Sequence, residues 1–305
     1  MRNILGRVKA GIENIETAEK IYGAVKKVGI KYAYDATMKM KFKDACGYDL
    51  NLMNPQCFNE KIQWIKVNVH DPLMTKCADK VRVREYIEEK IGPKYLIDIY
   101  GIWKNSSEID FSSLPNSFVL KTNHASGQVV IVNDKNKVDV NKVRAKIDKW
   151  LRSNYYYQTG EWVYKDIKPL VYCEKLLDKE IKDYKFYCFN GEPKFLYISQ
   201  GLGICEKTAK MNFVDLNYKK TPWQRPSFLE FEKIPDKPVC FGEMIEVSRV
   251  LSKPFPFVRC DLYEVDGNVK FSELTFYPNG GFDPFYPLKW EKEIGGWLKL
   301  PYDGE

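Results

Sequence analysis

The stretch Phe257-Val-Arg259-Cys-Asp261-Leu-Tyr-Glu-Val-Asp266-Gly267-Asn-Val-Lys-Phe-Ser-Glu273-Leu-Thr-Phe-Tyr-Pro278 reads as a β-hairpin whose two strands meet at Asp266-Gly267. An Asp-Gly turn folds the chain back on itself, so Asp261 and Glu273, twelve residues apart, are expected to lie side by side. Two carboxylates held close repel unless a cation or a proton neutralises them, and in the cytoplasm the usual cation is magnesium carrying nucleotide phosphates. The pair points to ATP chemistry, with two solvated hairpin carboxylates as the plain alternative.

Upstream, Ser117-Phe-Val-Leu-Lys121-Thr-Asn-His124-Ala-Ser126-Gly127-Gln128-Val-Val-Ile-Val132 reads as an apolar strand ending at a lysine, a small polar turn, and a second apolar strand. Such a turn can aim consecutive backbone N–H groups at an anion, with the lysine as a point charge beside them. It lacks the spacing of a Walker loop or a Rossmann fingerprint, and an ordinary hairpin is the competing reading.

A chain of 305 residues can bury a substantial core and hold two or three subdomains around a cleft. No apolar run approaches the roughly 20 residues of a membrane-spanning helix, and charges interrupt the N-terminus too often for a secretory signal. The expectation is a cytoplasmic protein. Eight cysteines form no C-x-x-C pair and no cluster with His70 and His124, which suits free thiols in a reducing compartment. His124 invites two readings, a group acting near the phosphate loop or an imidazole bonded to backbone.

The net charge is +7, and residues 1–45 hold ten Lys or Arg against five Asp or Glu in a helix-compatible stretch with Ile12, Ile15, Ile21 and Val25. Peripheral contact with the inner face of a membrane is one reading, and a solvated basic face on a packed helix is the other. Nucleic-acid binding is disfavoured because no recognition motif accompanies the charge.

The remaining pattern predicts a mainly helical region over 46–115, with amphipathic helices at Phe58 to Val67 and Asp79 to Ile91 and a strand from Tyr95 to Trp103. From 116 on it predicts strands flanking Lys121, a helix at 139–153, strands at 170–177, 184–190 and 194–200, a polar excursion to about 240, a helix at 242–252, and the acidic hairpin. The fold class is α+β: two sheet layers facing each other over a cleft that could sandwich a nucleotide.

At this point the chain resembles the ATP-grasp superfamily, and within it the TupA-like branch of teichuronopeptide and capsular polysaccharide biosynthesis. The likeness covers roughly residues 50 to 300. It rests on Pro55-Gln-Cys-Phe58-Asn-Glu60-Lys61-Ile-Gln-Trp64, Asp79-Lys-Val-Arg-Val-Arg84-Glu-Tyr, Phe118-Val-Leu-Lys121-Thr-Asn-His124-Ala-Ser-Gly127, Asp183-Tyr-Lys185-Phe-Tyr-Cys-Phe-Asn190-Gly191 and the acidic hairpin. The resemblance implies two ATP-grasp lobes, at 116–177 and 178–305, preceded by a basic helical segment at 1–45 and a helical pre-domain at 46–115. It implies that Lys121 meets nucleotide phosphates and that the turn with His124, Ser126 and Gly127 covers them. Glu174, Lys175 and Leu177 would form the hinge that reads adenine, and Asp183 would lie near the ribose. Lys185 would reach phosphate from the opposite side and act in catalysis with Lys121 and Arg259, Arg259 would lie next to the reacting groups, and Asp261 and Glu273 would hold Mg²⁺. Thr275 departs from the pattern, because many members carry asparagine there, and Asn279 is the candidate substitute.

The implied reaction is ATP-dependent joining of a carboxylate and an amine through an acylphosphate, with an amino acid or small amine and a uronic acid of a cell-surface polysaccharide as expected partners. Three rivals remain: a glycosyltransferase, for which Asp261-Leu-Tyr supplies no D-x-D motif, a phosphotransferase on the same fold, and an adaptor with a degenerate nucleotide site.

Overall fold

A computed structural model describes residues 31–178, 181–201, 209–225 and 228–301. The basic stretch 1–30, with the four apolar positions expected to form its helix, lies outside the described residues, as does Cys205. Helix α1 spans Lys31–Cys46, and Met38, Phe42, Cys46 and Leu50 form a small core of their own against Val67 and Phe282.

The first sheet contains β1 (Ile99–Trp103), β2 (Phe118–Thr122), β3 (Val129–Val132) and β4 (Val171–Lys175), antiparallel in the order β1-β4-β2-β3. Side chains alternate between the faces of a strand, so β2 divides cleanly. Phe118 and Leu120 point into a core shared with Val171, Cys173 and Ile147 of the helix here called α5 (Val140–Leu151). Val119 and Lys121 point the other way, toward the second sheet.

That second sheet contains β5 (Asp183–Phe189), β6 (Glu192–Gln200), β7 (Lys210–Asp215), β8 (Phe257–Val265) and β9 (Asn268–Thr275), again antiparallel, in the order β7-β6-β5-β8-β9. Its outer face is covered by α7 (Phe241–Ser252), whose stripe Phe241, Met244, Val247 and Leu251 recurs every three or four residues and is buried. Phe186 meets Phe241 there at 5.9 Å, and the thiols of Cys188 and Cys260 both reach the Ser248 carbonyl. The opposite strand parity therefore sends Lys185, Arg259 and Asp261 to the inner face. At one end this face becomes aromatic: Tyr187, Phe189 and Phe257 pack around Phe58 of α2 (Phe58–Asn68), which α8 (Lys289–Trp297) braces. Polar chemistry is thus confined to the other end.

The helical expectation over 79–91 is corrected: α3 (Pro72–Ala78) ends first, Asp79 forms a turn, and α4 spans Val83–Lys90. The 46–115 stretch also gives up strand β1, shorter than expected, as an edge of the first sheet. Strand β7 lies inside what reads as a polar excursion, and the aromatic stretch after α5 holds a short helix, α6 (Tyr155–Thr159). Seven of the cysteines are described and free. No helix among the described residues is long and apolar enough to cross a membrane.

Candidate active site

The acidic hairpin forms as expected, with Asp266 and Gly267 at φ 51° and 76° in its turn. Counted back from that turn, pairing runs regularly to Leu262 opposite Phe271, which would leave Asp261 facing Ser272. A β-bulge intervenes, and Asp261 pairs with Glu273 instead. The extra residue re-aims Glu273 onto the inner face, a common use of bulges beside functional sites.

The register then draws a line of side chains across the sheet: Tyr197, Lys185, Asp261 and Glu273, on four adjacent strands. Next to it run Tyr187, Arg259 and Thr275. Asp261 is fully buried, and an unpaired charge there would be strongly destabilising. Arg259 donates to both of its oxygens, from Nε and Nη2, at 2.6 Å each, and Lys185 Nζ donates to Oδ2 at 2.7 Å. Lys185 also pairs with Asp183 at 3.0 Å, and Arg259 Nη2 donates to Thr275 Oγ1 at 3.1 Å.

Glu273 is half-buried, 3.6 Å from Arg259 Nη2 and 3.4 Å from Lys80 Nζ, and accepts from Thr275 Oγ1. Burial pushes its carboxyl up, but Lys80, Lys185, Arg259 and Lys121 outweigh that and hold it down at about 2.

Lys80 escaped the sequence reading, which took Asp79-Lys-Val-Arg as helix and as part of the family resemblance but gave its lysine no role. The local structure explains its position. Asp79 Oδ1 accepts from the Val81 and Arg82 N–H groups and from Asn123 Nδ2, tying this turn to the loop after β2. Lys80 Nζ donates to the Ala125 carbonyl of that loop at 3.0 Å while facing Glu273 across the cleft. A lysine directly after a capping aspartate was the available signal.

On the first sheet, Lys121 donates to the Glu174 carboxylate. A cavity of about 440 Å³ lies between the sheets, lined by Lys121, Glu174, Lys175, Leu177, Asp183 and Tyr263, with Val119, Val129 and Ile131 as an apolar wall. This size and lining, apolar with a few convergent charges, suits a flat heterocycle carrying a polar tail. The structure therefore brings five of the expected nucleotide residues to one cavity.

The turn residues divide. Ser126 and Gly127 are exposed, Gly127 at φ 73°, and Ser126 lines a second, smaller cavity with Arg259 and Glu273. His124 is a correction: it is buried inside the first lobe, its Nε2 3.2 Å from the carbonyls of Trp150 and Ser153, where it fastens the loop to the end of α5 instead of facing a phosphate.

Asp261 and Glu273 offer hard oxygen donors of the kind magnesium prefers, and magnesium is often held by one or two carboxylates with phosphate oxygens completing its shell. Among the described residues no group of three His, Cys, Asp or Glu could hold a metal alone, so the pair fits a nucleotide-borne ion and not a protein-only site. Asn279 lies beside Glu273 and Thr275 in the smaller cavity and donates to Asp283.

A model of the TupA-like ATP-grasp family matches residues 60–299. No curated protein matches significantly. Among solved structures the chain is similar to D-alanine–D-alanine ligase from Helicobacter pylori, with a TM-score of 0.43 and 16% identity over 74% of this chain and 61% of that one. For the same ligase from Bacillus anthracis the values are 0.42, 16%, 72% and 62%. For N5-carboxyaminoimidazole synthetase from Staphylococcus aureus they are 0.37, 12%, 66% and 44%. The chain spans no more than 62% of the length of these three structures.

Proposed function

The chain belongs to the TupA-like ATP-grasp family, and on that premise we propose that it is an ATP-dependent carboxylate-amine ligase. It would attach an amino acid or small amine to the carboxyl group of a uronic acid in a cell-surface polysaccharide or its precursor. The observation that carries the ATP-dependent part is the cleft. Lys121 and Lys80 approach from one side, and Lys185, Arg259, Asp261 and Glu273 line the other, beside a cavity sized for a nucleoside. The glycan part rests on family membership.

A carboxylate resists amines because its leaving group would be oxide. Transfer of the γ-phosphoryl group of ATP to the carboxylate gives an acylphosphate and ADP, and attack by the amine then expels phosphate and leaves the amide. Glu174, Lys175 and Leu177 would form the hinge against the base and Asp183 would lie near the ribose, and all four line the same cavity. Lys121, Lys80, Lys185 and Arg259 would neutralise charge on the transferred group and on the later tetrahedral oxyanion. Asp261 and Glu273 would hold Mg²⁺, which supplies neutralising charge to the phosphates when bound.

The test is product analysis with Mg·ATP, glucuronic or galacturonic acid, and a panel of amino acids. Release of ADP and phosphate that needs both acid and amine supports the ligase, and hydroxylamine in place of the amine should trap the acylphosphate as a hydroxamate. A stable phosphorylated product would indicate a phosphotransferase. Asp261→Ala and Glu273→Ala should each lower turnover by about 100-fold or more; near-normal turnover in either variant refutes the site assignment.

A further inference from the structure

The run Asn59-Glu60-Lys61-Ile62-Gln63-Trp64 carries part of the family likeness, yet nothing in the proposed chemistry uses it. In the structure it lies against the turn Pro278–Gly281, which follows the strand of Glu273 and Thr275. Asn279, Gly280 and Gly281 take φ of 49°, 64° and 73° in succession. Left-handed residues ordinarily occur singly, and a run of three persists only where its surroundings over-determine it. Helix α2 supplies one half of those surroundings. Gln63 Nε2 donates to the Gly280 and Gly281 carbonyls at 2.9 and 2.8 Å, and Lys66 Nζ donates to the Gly280 carbonyl at 2.8 Å. Both donors are buried, and the buried Glu161 carboxylate offsets the Lys66 charge. Gly281 packs so closely that an added Cβ would stand 2.8 Å from Gln63 Nε2 and 2.9 Å from Ile62 Cγ2.

The Asn279 side chain is fixed separately. A two-way backbone bridge between Gln224 and Tyr286, 3.0 Å in each direction, brings Arg225 beside Asp283. Arg225 is buried, its guanidinium over the Phe285 and Phe213 rings at 5.1 and 5.7 Å, and its Nε lies 2.9 Å from Asp283 Oδ2. The same oxygen accepts from Asn279 Nδ2. An ionised carboxylate can only accept, so it takes the NH₂ end of the amide and leaves the amide oxygen, the end that ligates cations, for other partners. Asn279 shares the lining of the small cavity of about 230 Å³ with Glu273 and Thr275. Building on the ligase reading, we infer that Gln63 and Asp283 are positioning residues, which together present the Asn279 amide oxygen to the ion that Asp261 and Glu273 would hold. An amide oxygen is a hard donor suited to Mg²⁺, and it would supply what the Thr275 hydroxyl supplies poorly.

The test is the calorimetric affinity of the full chain for AMP-PNP, an ATP analogue that does not pass on its γ-phosphoryl group, in excess Mg²⁺ and again in EDTA. The ratio of the two affinities reads the contribution of the ion without turnover. Wild type should bind more tightly with Mg²⁺. Asn279→Ala, Gln63→Met and Asp283→Ala should each lower the ratio by roughly 10- to 100-fold, or to unity, as loss of a group that orients a metal ligand does, and leave the affinity in EDTA unchanged. Because Gln63 and Asp283 act through Asn279, adding either substitution to Asn279→Ala should lower the ratio no further, whereas independent structural damage would add. An undiminished ratio in any single variant overturns the inference, as does an additive double variant or an equal fall in both media. Asp283→Ala leaves the buried Arg225 without its partner; if thermal denaturation finds that variant unfolded, Gln63→Met and its double variant decide. Wild-type binding of AMP-PNP with no gain from Mg²⁺ overturns the inference and leaves nucleotide binding standing, and no binding in either medium overturns the ligase reading with it.

Discussion

Glu161, buried in the wall of the smaller cavity beside Arg259 and Glu273, carries a cost that its titration should reveal. Burial raises its carboxyl from an ordinary 4.5 to about 7, opposed by Lys66 and Thr159. Between those values the folded protein keeps a proton that the unfolded chain has released. Its contribution to stability is therefore fully present below about pH 4.5 and is lost as pH rises through about 7. Glutamine does not titrate, so the stability of Glu161→Gln relative to wild type should increase across that interval, measured as urea midpoints on either side of it. A difference that does not change with pH would show that Glu161 is ionised throughout. Individual residues were unevenly legible in the sequence. Lys121, Asp261 and Glu273 stand out in the sequence because they sit in recognisable strands, although a bulge and not regular parity sets the face of Glu273. Glu161 follows a run of tyrosines with no period, and its burial arises from segments distant in sequence that line the same cavity.

Among the elements, the acidic hairpin, which bears the two carboxylates proposed to hold the ion, depends on its turn. Gly267 sits at φ 76°, and a Cβ added there would meet Val239 only at ordinary contact distance, so backbone conformation and not crowding demands the glycine. Gly267→Val should lower stability by about 1–2 kcal/mol, read from chemical denaturation. It should also weaken Mg·ATP turnover, because the two acids depend on the same strand pairing. Turnover unchanged alongside the loss of stability would show that the acids are held independently of the turn. The hairpin itself was readable from Asp-Gly and its flanking strands, whereas the bulge that selects Glu273 over Ser272 was not, since a one-residue slip leaves no local mark. Strand β7 stayed hidden for a related reason. It is an edge strand with Lys210 and Asp215 at its ends, set among polar residues, and pairing with β6 is what makes it a strand. The turn before α4 was also missed, because the Asp79 side chain competes with the helix by binding backbone N–H groups.

At the scale of the molecule, the charges that line the cleft already satisfy one another, mostly within their own sheet. Lys121 rests on Glu174, Lys185 lies between Asp183 and Asp261, Arg259 grips Asp261, and Lys80, in the turn after α3, reaches Glu273 of β9. The general plan of strands, helix and cleft was legible because periodicity survives at that scale, and Lys80, joining two segments almost two hundred residues apart, was not. The bridge has a consequence for the order of events. With its acids occupied by ammonium and guanidinium groups, the resting protein offers a bare divalent ion almost nothing to hold. Calorimetry should register Mg²⁺ only when nucleotide accompanies it, and appreciable heat from the metal alone would contradict this. On the proposed reading an arriving triphosphate would draw the lysines to itself and free the carboxylates for the ion it carries, so that loading the fuel would also unlock the seat for its metal.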